Sequence, residues 1–227
     1  MKLDPISLLF DQDFIANKKF YLISGNELTL IEKISARILE LLQKNRNTAL
    51  SKIDSIKDYR DEIDLFENKR VYLIKNCNHL DERILNKVRD SKNIFIFIQE
   101  NSQKIKKTKT MFIKDKDCYL IDCYGLDKEK KIKILNGFLK KYNLKLEKEL
   151  YWFIIEKLDD RYGFFEDCLR KIFELNQNEI TLNSIEKLLT INETGKEKVF
   201  FSLLRKNKDI VQIYREKVVS ASDVNDF

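Results

Sequence analysis

The chain has 227 residues, 43% of them hydrophobic, with 43 basic and 37 acidic side chains and a net charge of +6. That is enough apolar material for one large domain or two to three small ones. Five glycines and one proline, against usual shares of roughly 7% and 5%, exclude a loop-rich β sandwich and predict long helices joined by short polar turns. No run approaches the about eighteen uninterrupted apolar residues of a membrane helix, and the apolar patch at residues 6–10 has no basic leader and runs into Asp11 and Asp13. A soluble, cytoplasmic protein with no membrane partner is therefore expected. The modest positive excess permits contact with nucleic acid without requiring it.

In chain order, residues 19–23 (Lys-Phe-Tyr-Leu-Ile) read as a buried strand. Residues 28–42 follow with Leu28, Ile31, Ile34, Ile38, Leu41 and Leu42 at helical spacing. Residues 70–74 and 93–98 are two further near-continuous apolar runs, separated by a short helix over 80–89 with Asp81 and Glu82 in its first turn. Residues 49–53 and 118–123 complete a sheet of about five strands, largely parallel, with helices on its faces. After Gly125 the alternation stops and only helical periods remain, which places a boundary there. Asp127 caps a helix over 128–142, and helices over 146–158 and 164–175 and one opening at Thr181 form a small bundle. A last helical region begins near Lys196 and is too short to be a domain by itself.

Several chemistries lack their residues. The four cysteines, Cys77, Cys118, Cys123 and Cys168, contain no CxxC pair, and the one histidine, His79, lies in a turn, so free buried thiols are expected and no metal site. A phosphate-binding loop needs G-x-x-x-x-G-K-[ST], whose glycines cradle phosphate, whose lysine neutralises it and whose hydroxyl holds magnesium. Gly25 stands at its first position, but Leu30, Ile31 and Glu32 stand where glycine, lysine and hydroxyl belong. The strand over 70–74 ends in Lys75 and Asn76, the strand over 93–98 in Gln99 and Glu100, and Asp159-Asp160 beside Arg161 reads as a solvated turn. No acid–base pair, cofactor or catalytic residue follows from these positions, so the expectation is a protein that is not an enzyme.

Two segments carry interaction chemistry. Lys104, Lys106, Lys107, Lys109, Lys114 and Lys116 lie in a stretch with little periodicity, which reads either as a solvated loop or as a track for a nucleic-acid backbone. Leu65 and Phe66, flanked by acids before and by Glu67 to Arg70 after, either staple a turn to the sheet or form a compact anchor for a pocket on a partner protein.

Residues 20–31, residues 65–74 and the helical region after Gly125, taken in order, resemble the δ subunit family of the bacterial DNA polymerase III clamp loader. That family opens with a strand, a G-[DN]-E turn and a helix without a phosphate loop, here Gly25-Asn26-Glu27, and carries an L-F-x-x-[KR]-R element before a strand, here Leu65 to Arg70. The resemblance implies a RecA-like AAA+ α/β module over residues 1–124 with no nucleotide site, a helical lid-like domain over 125–191, and the start of a helical collar over 192–227, which is too short for a whole collar. It implies that Leu65 and Phe66 enter a pocket on the sliding clamp (β subunit) and favour its opening for loading on primed DNA. ATP-binding and δ′ subunits would be the other partners, with no cofactor or metal of this chain's own. The rival expectation is another degenerate AAA+ subunit, δ′-like or a DNA-remodelling accessory protein.

Overall fold

A computed structural model describes residues 1–45, 48–60, 69–77, 80–100, 105–175 and 180–185. The chain packs into two compact units, residues 1–140 with 160–163 in the first, and residues 141–159 with the described residues from 164 onward in the second.

The first unit is built on a parallel sheet of six strands: β1 (Lys2–Leu3), β2 (Phe20–Gly25), β3 (Ala49–Ser55), β4 (Arg70–Asn76), β5 (Ile94–Glu100) and β6 (Cys118–Cys123), in the order β1-β6-β2-β5-β4-β3. Its central strands are buried along nearly their whole length. Such runs carry no polar alternation because helices cover both faces. On one face Phe20, Leu22, Tyr72, Ile74, Phe95 and Phe97 form a single core with Leu85 and Val88 of α3 (Glu82–Arg89) and Phe112 of α4 (Lys106–Lys114). Tyr21 and Ile23 alternate to the other face, where α2 (Leu28–Asn45) packs along β2, β5 and β6. Edge strand β3 shows the opposite signature, with Ser51, Ile53 and Ser55 half-buried between exposed neighbours.

The strands expected over 19–23, 49–53, 70–74, 93–98 and 118–123 and the helices over 28–42, 80–89 and 128–142 are all present, the last as α5 (Lys128–Tyr142). Asp81 caps α3 by accepting the Ile84 amide at 2.9 Å, and Asp127 accepts the Lys130 amide at 2.9 Å. The sixth strand was not legible, since two residues cannot show a period. The apolar patch at 6–10 is α1 (Pro5–Phe10), started by Asp4, which accepts from the Ser7 hydroxyl at 2.7 Å, and by a proline in its first turn.

The lysine-rich stretch expected to lack periodicity is instead helix α4. Thr108 and Phe112, four residues apart, give it a buried stripe, and the Thr108 hydroxyl donates to the Leu80 carbonyl at 3.1 Å. A single turn's separation between two inward residues is too little for a periodic signal among so many lysines.

In the second unit, α6 (Lys148–Lys157) and α7 (Tyr162–Glu174, from Phe164 onward) match the helices expected over 146–158 and 164–175. Thr181 opens the next helical turn: its hydroxyl accepts the Ser184 amide at 3.3 Å, while the Ser184 hydroxyl accepts the Thr181 amide at 2.9 Å. The expected continuation of that helix to Leu189, and the helical region after Lys196, lie outside the described residues.

Candidate functional site

β2 lies between β5 and β6, and the connection leaving β2 runs out to β3 at one edge whereas that leaving β5 crosses back over β2 to β6. In open α/β sheets the crevice outside the carboxyl ends of the strands at such a switch point is where ligands bind. Gly25 ends β2 there, in register with Glu100 of β5 and Cys123 of β6.

Crowding dictates the glycine. A Cβ on Gly25 would fall 1.7 Å from the Cys123 carbonyl oxygen and 2.4 Å from its carbon. The amide of Glu27, two residues on, donates to the same carbonyl at 3.2 Å. In a phosphate loop the backbone amides are free to face the anion; here Glu27 has already given its own to β6. Leu30 and Ile31, at the positions of the loop's second glycine and lysine, are 0% and 2% exposed, turned into the core with Ile34 and Ile38. Glu32 is exposed.

The turn is fastened by two polar arrangements that the sequence did not reveal. The first centres on Asp122, the register partner of the fully buried Ser24, whose hydroxyl donates to Asp122 Oδ1 at 3.1 Å. Lys109 of α4 reaches the same oxygen at 2.7 Å and the Tyr124 hydroxyl at 2.8 Å, while Lys2 of β1 binds Oδ2 at 2.9 Å. Burial by itself raises the Asp122 carboxyl, but the hydrogen bonds from Lys109 and Lys2 outweigh it and hold the group below the usual carboxylate range. Burial likewise depresses Lys109, and its bonds to Asp122 and Tyr124 outweigh that and raise it. Lys109 thus points inward to bind a carboxylate, whereas Lys106, Lys107, Lys114 and Lys116 are exposed.

The second arrangement joins α2 to residues 160–163, where the chain re-enters the first unit. Thr29 Oγ1 donates to Glu27 Oε1 at 2.5 Å and accepts the Gly163 amide at 3.1 Å. Beside it, the Asp160 carbonyl accepts the Leu126 amide at 2.7 Å, and the Asp160 carboxylate pairs at 2.5 Å with Lys131, whose side chain is 5% exposed. The acids at 159–160 form the solvated turn expected, with the Asp160 side chain 77% exposed, and its pair with Lys131 also ties the segment to α5.

The Cys123 thiol at the rim is pushed up to about 12, first by burial and then by the charges of Asp122 and Glu27. Cys77 and Cys118 are pushed up to about 12 as well, mainly by burial. A thiol held protonated is neither a nucleophile nor a ready metal ligand. All four cysteines are free, and among the described residues no group of three or more His, Cys, Asp or Glu is placed to hold a metal ion. No helix among them is long and apolar enough to cross a membrane.

Leu65 and Phe66 lie outside the described residues, as do His79 and Lys104. What is described is how the chain is held on either side of residues 61–68. Tyr59 packs edge-on against Tyr72 and Phe95, with ring centroids 5.0 and 5.1 Å away. Asn93 ties both flanks, donating through Nδ2 to the Tyr59 hydroxyl at 3.1 Å and accepting the Arg70 amide on Oδ1 at 3.0 Å. A lone asparagine before a strand gives no such signal in the sequence, because its two partners are 34 and 23 residues away.

The six-stranded parallel sheet, with its switch point at Gly25 and helices on both faces, resembles the α/β fold of RecA-like AAA+ modules. Among solved structures the chain is similar to the Bacillus subtilis DNA clamp loader delta protein, with 16% identity and a TM-score of 0.51 over 87% of this chain and 70% of that one. Domain III of the Thermotoga maritima replication initiation protein DnaA aligns at 16% identity and a TM-score of 0.45, over 82% of this chain and 88% of that one. The Thermotoga maritima RuvB Holliday junction branch migration motor aligns at 12% identity and a TM-score of 0.46, over 87% of this chain and 70% of that one. No family model and no curated protein matches the sequence.

Proposed function

We propose that the chain is a δ-type subunit of a replicative sliding-clamp loader, one that binds and opens the clamp through Leu65 and Phe66 and leaves ATP hydrolysis to sister subunits. The observation that carries this reading is the state of the turn at Gly25. The amide of Glu27 is bonded to Cys123, Leu30 and Ile31 are buried, and Gly25 is wedged against the β6 backbone. An AAA+ sheet with that turn suits a partner-binding role better than a hydrolytic one, and the similarity to a clamp loader delta protein points the same way.

In this reading residues 1–124 form the clamp-binding module, residues 125–191 a lid-like domain and residues 192–227 the start of a collar that joins the chain to ATP-binding and δ′ subunits on primed DNA. Helix α5 belongs to the first unit as far as Lys140, its Phe138 ring meeting Phe10 of α1 with centroids 6.4 Å apart, so the lid would share its first helix with the module before it.

Burying a leucine and a phenylalanine in a clamp pocket is worth roughly 3–6 kcal/mol before association costs. The double variant Leu65→Ala/Phe66→Ala is therefore expected to lose clamp binding in a pull-down or by calorimetry while melting like the parent. A folded double variant that still binds the clamp would refute the assignment.

A further inference from the structure

The chain leaves the first unit after Lys140 and returns to it only for residues 160–163. Gly163, the second residue of α7, carries one of the amides that a helix start leaves without an intrahelical partner. It donates to Thr29 in the first turn of α2, and Thr29 in turn donates to the carboxylate of Glu27, the residue just before that helix. The first turn of α2 itself holds no acid; a negative charge just before a helix start is favourable, and a phosphate sits against a helix start where a nucleotide binds after such a strand.

A side chain at Gly163 would crowd this approach. A Cβ there would sit 3.0 Å from both Thr29 Oγ1 and Thr29 Cγ2. The Asp160 carbonyl and carboxylate add two further ties within four residues.

We propose that Glu27 is a built-in counter-charge that stands in for a phosphate: acting through the Thr29 hydroxyl, it fastens the start of α7 to the turn at Gly25 with no nucleotide present. Glu27 and Thr29 are positioning residues in this scheme. The inference takes from the functional reading only that no nucleotide fills this turn.

Hydrogen exchange on the full chain tests it, comparing peptides over 160–166 with peptides of β2 and β6. Thr29→Val is expected to speed exchange over 160–166 by roughly three- to tenfold, the worth of one such bond, with β2 and β6 unchanged. Thr29→Ser should restore protection. Glu27→Gln, which keeps an acceptor but removes the charge, should loosen the same segment by a smaller factor. Magnesium–ATP added to the parent protein should leave exchange there unchanged. Unaltered exchange over 160–166 in Thr29→Val, or in Glu27→Gln, overturns the proposal, and so does protection gained with magnesium–ATP. If Thr29→Val fails to fold, Glu27→Gln still decides the matter. The same variants are expected to bind the clamp as the parent does, so failure here is separable from failure of the Leu65–Phe66 assignment.

Discussion

Lys109→Met removes the cation that binds Asp122 most closely, and the size of the effect follows from the geometry. The two side chains are 17% and 14% exposed and 2.7 Å apart. Removing one partner of a fully buried pair costs about 3–5 kcal/mol. Here Lys2 remains on the other oxygen at 2.9 Å, but it is 60% exposed and screened by solvent, so a loss of about 2–3 kcal/mol is expected. For a chain of this length that lowers the melting temperature by roughly 5–10 °C. Asp122→Asn should cost a similar amount, by leaving the largely buried Lys109 ammonium without its counter-charge. The double variant should recover about 1–2 kcal/mol of the summed loss. The assay is a urea titration read through exchange of β2 and β6 amides, because two compact units need not unfold together.

The pH dependence adds a sign. Asp122 is lowered from 3.8, so its contribution is present above that value and is lost as pH falls through the lower folded one. Lys109 is raised from 10.5, so its contribution is present below that value and is lost as pH rises through the higher folded one. The parent should lose this increment at both extremes and the double variant at neither. A coupling under about 0.5 kcal/mol would refute the reasoning.

Gly25→Ala should be among the costliest single methyl additions, on the order of 3 kcal/mol, since the clash at 1.7 Å is with backbone that also carries the β2–β6 ladder. A loss under about 0.5 kcal/mol in a denaturant titration would show that the turn can yield. Gly137→Ala, ordinarily a gain of about 1 kcal/mol within a helix, should instead destabilise, because its Cβ would fall 2.5 Å from the Phe10 ring. In a Phe10→Ala background the same change should become stabilising, and an unchanged sign there would refute the packing argument.

What was legible in the sequence was whatever repeats within a few residues. The runs that became β2, β5 and β6 are apolar without interruption because both faces are covered, and α2 and α5 carry their buried positions at helical spacing. Asp127 announced a helix start by type and place, while Asp81, expected within a first turn, is itself the cap. The missing glycine, lysine and hydroxyl after Gly25 were equally plain, since a phosphate loop is a local motif.

The sequence by itself determined the α/β class, the places of the central strands and the mismatch of residues 30–32 to a phosphate loop, all fixed by patterns of side-chain type along a short stretch. Only the tertiary structure decided that α4 is a helix turning Lys109 inward, that Asn93 ties both flanks of residues 61–68, and that Glu27, Thr29 and Gly163 meet beside the turn at Gly25. Each of these depends on groups from distant strands and helices, Gly163 lying 134 residues from Thr29. A polar side chain's worth is set by the partner and the burial it finds there, and neither is written in its neighbours along the chain.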